Sequence, residues 1–477
     1  MSKNPVSEIT NMEDDFAKWY TDVVRKAGLI DYSSVRGCMI LKPYGYAIWE
    51  NIQATLDRMF KDTGHQNVYM PMFIPESLLN KEKEHVAGFA PEVAWVTHGG
   101  SEKLTERMCV RPTSETLFCE HYAKEIQSYR DLPKLYNQWC SVVRWEKTTR
   151  PFLRNCEFLW QEGHTIHETA EEAREETLRM LDVYADLCEK YLAVPVIQGR
   201  KTHKEKFAGA EDTYSIEAMM HNGYGLQSAT SHYFGDGFAK AFDITFTGRD
   251  NVIRHPYQTS WGMTTRIIGA VIMTHGDNSG LVIPPYIAPH QIAVVPIAHH
   301  KEGVTEAAVA LHEELRQSFR AIIDLSENSA GWKFAQYEML GVPIRIEIGP
   351  KDIENRQCVA VCRATGEKRV LPLAGITQSL SNLLEEIHQA MYTKALANRQ
   401  ERTFTADNLD KMREYSTENL NLFVKAMWCG SSDCEDKVKD QTGLKSLNIP
   451  FDSQNQSGAC VCCGAKAENT VLWGRSY

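Results

Sequence analysis

Residues 139–167 read WCSVVRWEKTTRPFLRNCEFLWQEGHTIH, and their side chains are of the kind that grips a flat, polyanionic ligand. Arg144 and Glu146 are two apart, so on an extended strand they project from one face. Phe158, Trp160 and Glu162 share a face of a second strand by the same rule. Lys147, Arg150 and Arg154 lie between them in a segment broken by Pro151, as the loop of an antiparallel hairpin would. Such a hairpin offers guanidinium for phosphate, a ring for stacking and carboxylates for amino or hydroxyl groups, which is what a nucleotide requires. An ordinary solvated hairpin with incidental ion pairs would explain Arg144 with Glu146 alone. It does not explain the clustering of the rest.

The elements that must hold this hairpin are legible on either side. Over 13–27, Phe16, Trp19, Tyr20, Val23 and Ala27 repeat at helical spacing, with Gly28 as the stop. A short strand is expected at 38–41, then a helix from Tyr44 through Ile48, Ile52, Leu56, Met59 and Phe60, ended by Gly64. Residues 67–74 read as a strand interrupted by Pro71; proline removes a ladder donor, so this strand suits an edge or a subunit boundary. Residues 106–111 predict a strand running into a helix after Pro112. Thr113, Ser114 and Glu115 sit at that junction, where polar side chains are usually caps.

Past the hairpin, Thr169 and Glu172 fit a capping box for a helix to about residue 192. Alternation at Tyr214, Ile216, Ala218 and Met220, and again at Phe242, Ile244 and Phe246, predicts strands. Between them Thr230 and His232 share a face, with Gln227 out of phase and so on a bend. A single histidine on a strand is more often a hydrogen-bonded core residue than a catalyst. In SWGMTTR, residues 260–266, a glycine-containing turn is expected to deliver Arg266 onto the first turn of an apolar helix, a geometry suited to anions.

With 477 residues, 43% of them hydrophobic, the chain can build two or three domains. The start, MSKNPVSEIT, is polar, and the longest strongly apolar run, 267–273, is far too short to cross a bilayer. A soluble, cytoplasmic protein with no membrane partner is expected. The thirteen cysteines agree: eight are scattered singly before residue 429, with no disulfide-like framework. The net charge of −10 argues against coating nucleic acid non-specifically, and no DNA partner is expected. Local basic surfaces for a particular RNA remain open.

From 289 to 398 the pattern alternates short strands and helices, which implies a mostly parallel sheet with helical cover. Around its turn IEIGPKDIENR, Glu347, Lys351 and Arg356 are candidates for base and phosphate contacts, though each could equally belong to a solvated loop. Residues 399–477 form a third unit. Its Cys429-x4-Cys434 and Cys460-x2-Cys463 have structural-zinc spacing, with Cys462 as an alternative to Cys463. Cys463 is preferred because the Gly464 that follows suits a zinc knuckle.

Several of these stretches, in this order, resemble a class II aminoacyl-tRNA synthetase, and within that class the prolyl-tRNA synthetases of archaeal and eukaryotic-like type. The stretch ending MPMFIPE, with Pro71, looks like motif 1; VVRWE…RPFLRNCEFLWQEGH resembles motif 2; WGMTTRIIG looks like motif 3. RPTSET is similar to the loop that holds the substrate's amino group, and the terminal GRSY to the family's chain end. The resemblance implies an α/β and α+β multidomain fold. Residues 1–288 would form an antiparallel-sheet catalytic domain, 289–398 an α/β anticodon-binding domain and 399–477 a small zinc-binding domain. It also implies a homodimer that joins L-proline to ATP as prolyl-adenylate and then to tRNA(Pro).

By the family pattern Arg144 bridges the proline carboxylate and the α-phosphate, and Arg266 completes the catalytic pair at the γ end or the far side of adenine. Glu146 would contact the adenine amino group, Phe158 stack on the ring and Arg154 meet the phosphates. Gln227, Thr230 and Thr264 would hold ribose and phosphate oxygens, with Mg²⁺ neutralising the rest. For proline, Thr113 and Glu115 would accept the ammonium protons, Trp160, Phe207 and His232 wall the ring, and Glu162 support them. Residues 168–259 leave no room for the editing domain of the bacterial type, so hydrolysis of alanyl-tRNA in cis is not expected. The rivals are a sister synthetase of the same subclass, a synthetase-like RNA-binding protein and an activator that charges a carrier protein. The threonyl enzyme's zinc-binding histidines cannot be placed here, Arg144, Arg154 and Arg266 are all present, and a carrier-charging activator would leave the anticodon-like unit unexplained.

Overall fold

The computed structural model describes residues 9–85, 92–417, 421–454 and 456–477. The polar stretch read at residues 1–8 lies outside them. Among the described residues eleven strands make one sheet. Its centre is the antiparallel run Val196–Arg200, Asp212–Met219, Gly225–Gly235, Tyr257–Thr264, Glu157–His167 and Lys134–Val143. Gln66–Asn67 pairs in parallel at one edge, but the strand expected over 67–74 is broken around Pro71 and resumes only at Phe73–Pro75, in a separate three-stranded sheet.

One face of this sheet is packed dry. Helices Phe16–Lys26, Pro43–Asp62 and Ala170–Lys190 bury Trp19, Tyr20, Ile52, Phe60 and Tyr184 against it, together with Trp261 of the sheet. Burying each large apolar side chain contributes about 1.5–3 kcal/mol. Gly163 makes room for Trp261: a Cβ there would fall 2.1 Å from the indole ring. Thr169 caps the third helix by accepting from the Glu172 N–H, as its sequence pattern predicts. The opposite face carries the polar residues that line the pocket described below.

Three local expectations are corrected. The first hairpin strand ends at Val143, so Arg144 and Glu146 stand just beyond it, with Arg144 still held by its N–H to the Cys156 carbonyl at 2.8 Å. Gly262 lies inside the strand Tyr257–Thr264, and Arg266 opens the following helix Arg266–His275 without an intervening glycine turn. The alternation over 242–246 is not a strand: Gly237–Ala241 is a short helix, Asp243 takes a positive φ of 55°, and only Phe246–Thr247 is extended. Phe242, Ile244 and Phe246 are buried all the same.

A separate five-stranded sheet follows in the order Ala321–Ile323, Ile292–Pro296, Ile344–Ile348, Gln357–Cys362, Lys368–Pro372. The first three are parallel and the last two antiparallel. The long helix Ile376–Glu401 runs from this unit across position 399. Beyond it, strands Thr403–Thr405, Phe423–Trp428, Asn469–Gly474 and Lys445–Pro450 extend the large sheet, joined to it where Ile449 and Pro450 pair with Arg200 and Gly199. Among the described residues no helix is long and apolar enough to cross a membrane.

Candidate active site

Strand register builds the site row by row. Tyr136, His164, Ser260, His232 and Thr213 stand side by side on five neighbouring strands. Two residues further along, Gln138, Glu162, Gly262, Thr230 and Ser215 form the next row on the same face. A bulge between Ile216 and Glu217 skips Ser228, which turns Gln227 into phase with the pocket. The bend expected at Gln227 is this bulge.

One cavity above these rows is lined by Thr113, Glu115, Arg144, Glu146, Arg154, Phe158, Trp160, Glu162, Phe207, Gln227, Thr230, His232, Thr264 and Arg266. Every residue expected at the proline and nucleotide positions therefore borders a single space. Glu347, Lys351 and Arg356 lie elsewhere, in the five-stranded unit. Glu347 is held by Arg345 at 2.9 Å, while Lys351 and Arg356 are exposed, the latter with a positive φ of 50°.

The cavity has a closed end built around Glu162, which is 1% exposed. Its carboxylate accepts from the Ser114 N–H at 3.0 Å, the Ser114 hydroxyl at 2.6 Å, Gln138 Nε2 at 2.6 Å, the Thr113 hydroxyl at 3.1 Å and His164 Nε2 at 3.0 Å. Burial would raise its pKa, but the His164 hydrogen bond and charge and the Ser114 and Gln138 donors hold it down at about 2. Burial would likewise discharge His164, yet the field of Glu115 and the bond to Glu162 push its pKa above the ordinary histidine range. Thr113 donates to Glu115 as well, and Ser260 donates to Glu115 at 3.0 Å. Ser114, expected as a helix cap, makes no cap bond. Its side chain serves Glu162 instead.

The walls of this end are aromatic. Trp160 meets Phe158 edge-on with centroids 6.2 Å apart, and Phe207 lies 4.8 Å from His232. Burial, then the charges of His164 and Lys201, lower His232 to about 3, so it is a neutral ring at neutral pH. Its Nδ1 is 3.0 Å from the Thr213 hydroxyl.

The other end gathers cations. Arg144 donates Nε to the Pro112 carbonyl at 3.0 Å, with its guanidinium 5.5 Å from the Phe158 ring centroid and 5.3 Å from that of Trp160. Arg266 donates Nε to the Leu153 carbonyl at 3.2 Å, and Arg154 contacts Glu146 at 3.3 Å. Burial lowers the pKa of both Arg144 and Arg266, and for Arg266 repulsion from Arg154 and Arg144 adds to it. Arg154 and Arg144 lie close enough to Arg266 to repel it, and guanidinium groups gathered in this way make a seat for a polyanion.

Sequence reasoning missed Ser114, Gln138, His164 and Ser260 as parts of this site. Ser114 and Gln138 act through Glu162 on the second hairpin strand, Ser260 through Glu115 at the start of helix Glu115–Glu125, and His164 through Glu162 two residues earlier on its own strand.

In the C-terminal unit, Cys429, Cys434, Cys460 and Cys463 bring their sulfurs within 4.8 Å of one another, Cys429 and Cys463 being 3.8 Å apart. Four Zn–S bonds of about 2.3 Å at tetrahedral angles need sulfurs at about that separation, so the donor set fits zinc.

The fold and this pocket define a class II aminoacyl-tRNA synthetase. Residues 95–275 match the family described as tRNA synthetase class II core domain (G, H, P, S and T). Residues 291–388 match the family described as anticodon binding domain, and 413–477 that described as prolyl-tRNA synthetase, C-terminal. Over 475 residues the chain is 62% identical to a proline–tRNA ligase of Ruminiclostridium cellulolyticum, covering 100% of this chain and 99% of that one. It is 60% identical to proline–tRNA ligase 2 of Bacillus cereus over the full length of both. The crystal structure of prolyl-tRNA synthetase from Cryptosporidium parvum, complexed with halofuginone and AMPPNP, superposes with a TM-score of 0.93 at 41% identity, covering 98% of this chain and 99% of that one. The chain belongs to the prolyl-tRNA synthetases of the type without the inserted editing domain, and it is an enzyme that ligates proline to tRNA at the expense of ATP.

Proposed function

We propose that the closed end of the cavity holds L-proline and the cationic end holds the triphosphate of ATP, with Arg144 between them. The observation that carries this reading is the split in charge: buried Glu115 and Glu162 at one end, Arg154 and Arg266 at the other, and Arg144 within the field of both. Proline's secondary ammonium has two protons to donate, and Glu115 with the Thr113 hydroxyl forms the acceptor pair. Glu162, saturated by its own donors, fixes Thr113 and Ser114 in place. Trp160, Phe207 and neutral His232 enclose the ring by shape, because proline offers no other polar handle.

Arg144 then offsets the repulsion between carboxylate and α-phosphate, and it stabilises charge as the carboxylate attacks and pyrophosphate leaves. Phe158 supplies the stacking face for adenine and Glu146 the acceptor for its amino group. Arg154 and Arg266 take the outer phosphates, while Gln227, Thr230 and Thr264 hold sugar and phosphate oxygens. Besides Glu115 and Glu162, the carboxylates bordering the cavity are Glu146 and Glu205, so Mg²⁺ fits there mainly through phosphate and water oxygens. It would neutralise phosphate charge when bound. The 3′-terminal ribose of tRNA attacks the resulting mixed anhydride, for which no protein base is required.

Residues 1–288 form the catalytic domain in this reading, 289–398 bind the anticodon through Glu347, Lys351 and Arg356, and 399–477 are organised by structural Zn²⁺. Four thiolates leave that ion no open position for catalysis. A homodimer is supported by the exposed Tyr69, Met72 and Phe73 flanking Pro71, the segment that resembles the family's interface motif. A cytoplasmic location is supported by the thiol-rich composition and the tRNA substrate.

Pyrophosphate exchange across a panel of amino acids, followed by charging of total tRNA and metal analysis, tests the reading. Exchange strongest with proline and about one zinc per chain are the expected results. The assignment of the closed end fails if Glu115→Gln leaves the KM for proline unchanged.

A further inference from the structure

The loop joining strands Val196–Arg200 and Asp212–Met219 carries Lys201, Glu205 and Phe207 to the cavity wall. Its shape is set at Thr202. The Thr202 carbonyl accepts from the Glu205 and Lys206 N–H groups at 3.2 and 3.0 Å, and its hydroxyl accepts from the Glu205 N–H at 3.3 Å. At the far end of the loop the Phe207 N–H donates to the Thr213 hydroxyl at 2.9 Å, the same hydroxyl that meets His232.

What fixes this turn in space comes from the other end of the chain. The Thr202 hydroxyl donates to Glu435 Oε1 at 2.9 Å, and Glu435 is 4% exposed. Ser446 donates to the same oxygen, while Glu435 Oε2 is buried and has no hydrogen-bond partner among the described residues. Either side of this contact, Lys201 Nζ donates to the Leu447 carbonyl at 2.6 Å as well as to Glu217 at 2.8 Å, and Lys204 pairs with Asp436. Glu435 and Asp436 directly follow Cys434 on helix Ser432–Thr442.

We propose that Glu435 is a positioning residue for the amino-acid pocket: through Thr202 the cysteine-bearing unit sets the loop that presses Phe207 against His232. Of the loop's residues Phe207 is the one read above as walling the proline ring, so the contact acts on the amino acid more than on the nucleotide. The inference rests on Phe207 walling the proline site, as read above.

The test is pyrophosphate exchange by the full-length enzyme carrying Thr202→Val, Thr202→Ser, Glu435→Gln or Phe207→Ala. Loss of one hydroxyl–carboxylate bond in Thr202→Val should raise the KM for proline about tenfold, with the KM for ATP within about twofold of the parent. Thr202→Ser, which keeps the hydroxyl, should restore the parental value. Glu435→Gln, which keeps an acceptor oxygen, should fall between them. Equal rises in both KM values, or an unchanged proline KM in Thr202→Val, would overturn the proposal, and circular dichroism melts show whether each variant is folded. If Phe207→Ala also leaves the proline KM unchanged, the pocket reading fails; if Phe207→Ala raises it while Thr202→Val does not, only the positioning role fails.

Discussion

The two ends of the cavity follow opposite rules of charge. At the Glu162 end each carboxylate oxygen is met by donors from the protein itself, and the His164 charge is shared between Glu162 and Glu115. At the arginine end Arg144 and Arg266 spend one donor each on a backbone carbonyl, and the Arg144 guanidinium lies against the Phe158 and Trp160 rings. A saturated site is rigid before its ligand arrives and selects by shape. An unsaturated cationic site is unfavourable until its ligand arrives and binds by charge. A small ring with one ammonium suits the first. A triphosphate suits the second.

The largest effect should come from breaking the joint between the ends. Arg144→Ala should lower kcat for pyrophosphate exchange by about 10³, since one preorganised charge contact to the reacting atoms is removed. Binding of ATP and proline separately, measured by calorimetry, should weaken far less. Next comes Glu162→Ala, which strands His164⁺ in a buried site. A stability loss of about 3–5 kcal/mol in urea unfolding is expected, because an unpaired buried charge is left behind.

The charge pair also predicts a pH window. Glu162 has a folded pKa of about 2, below its unfolded value of about 4.3, so it contributes stability that is present above the latter and lost as pH falls through the former. His164 is raised on folding, so its contribution is present below about 6.5 and lost as pH rises through its folded pKa. Unfolding midpoints of the parent against His164→Gln across this range should converge at high pH. Smallest of all, Lys351→Ala should raise the KM for tRNA about two- to threefold, the scale of an exposed charge contact. Exchange should be unaffected, which gives the comparison its baseline far from either end.

The arginine end was largely legible in the sequence. Arg144, Glu146, Arg154 and Phe158 are close along one hairpin, so proximity in the sequence brings them to one space even though Arg144 and Glu146 lie beyond the strand end. The Glu162 end was half legible. His164 stands two residues from Glu162 on one strand and shares its face, a spacing open to reading in the sequence; Gln138 and Ser260 carry no local signature and become functional through Glu162 on the paired strand and Glu115 on a helix. The misread at 242–246 has a similar cause. All three alternating apolar residues are buried, but the turn at Asp243 achieves this without a strand. Nor could the reach of Glu435 to Thr202 be seen, since 232 intervening residues separate the two.

The comparison is tested most directly by the KM values for proline and ATP in pyrophosphate exchange, measured side by side in Glu115→Gln and Arg266→Gln. A crossed pattern is predicted: the first variant raises the proline KM and leaves that for ATP near the parent, and the second does the reverse. If both variants raised both constants to the same extent, the cavity would be one undivided site and the division of labour described here would be wrong.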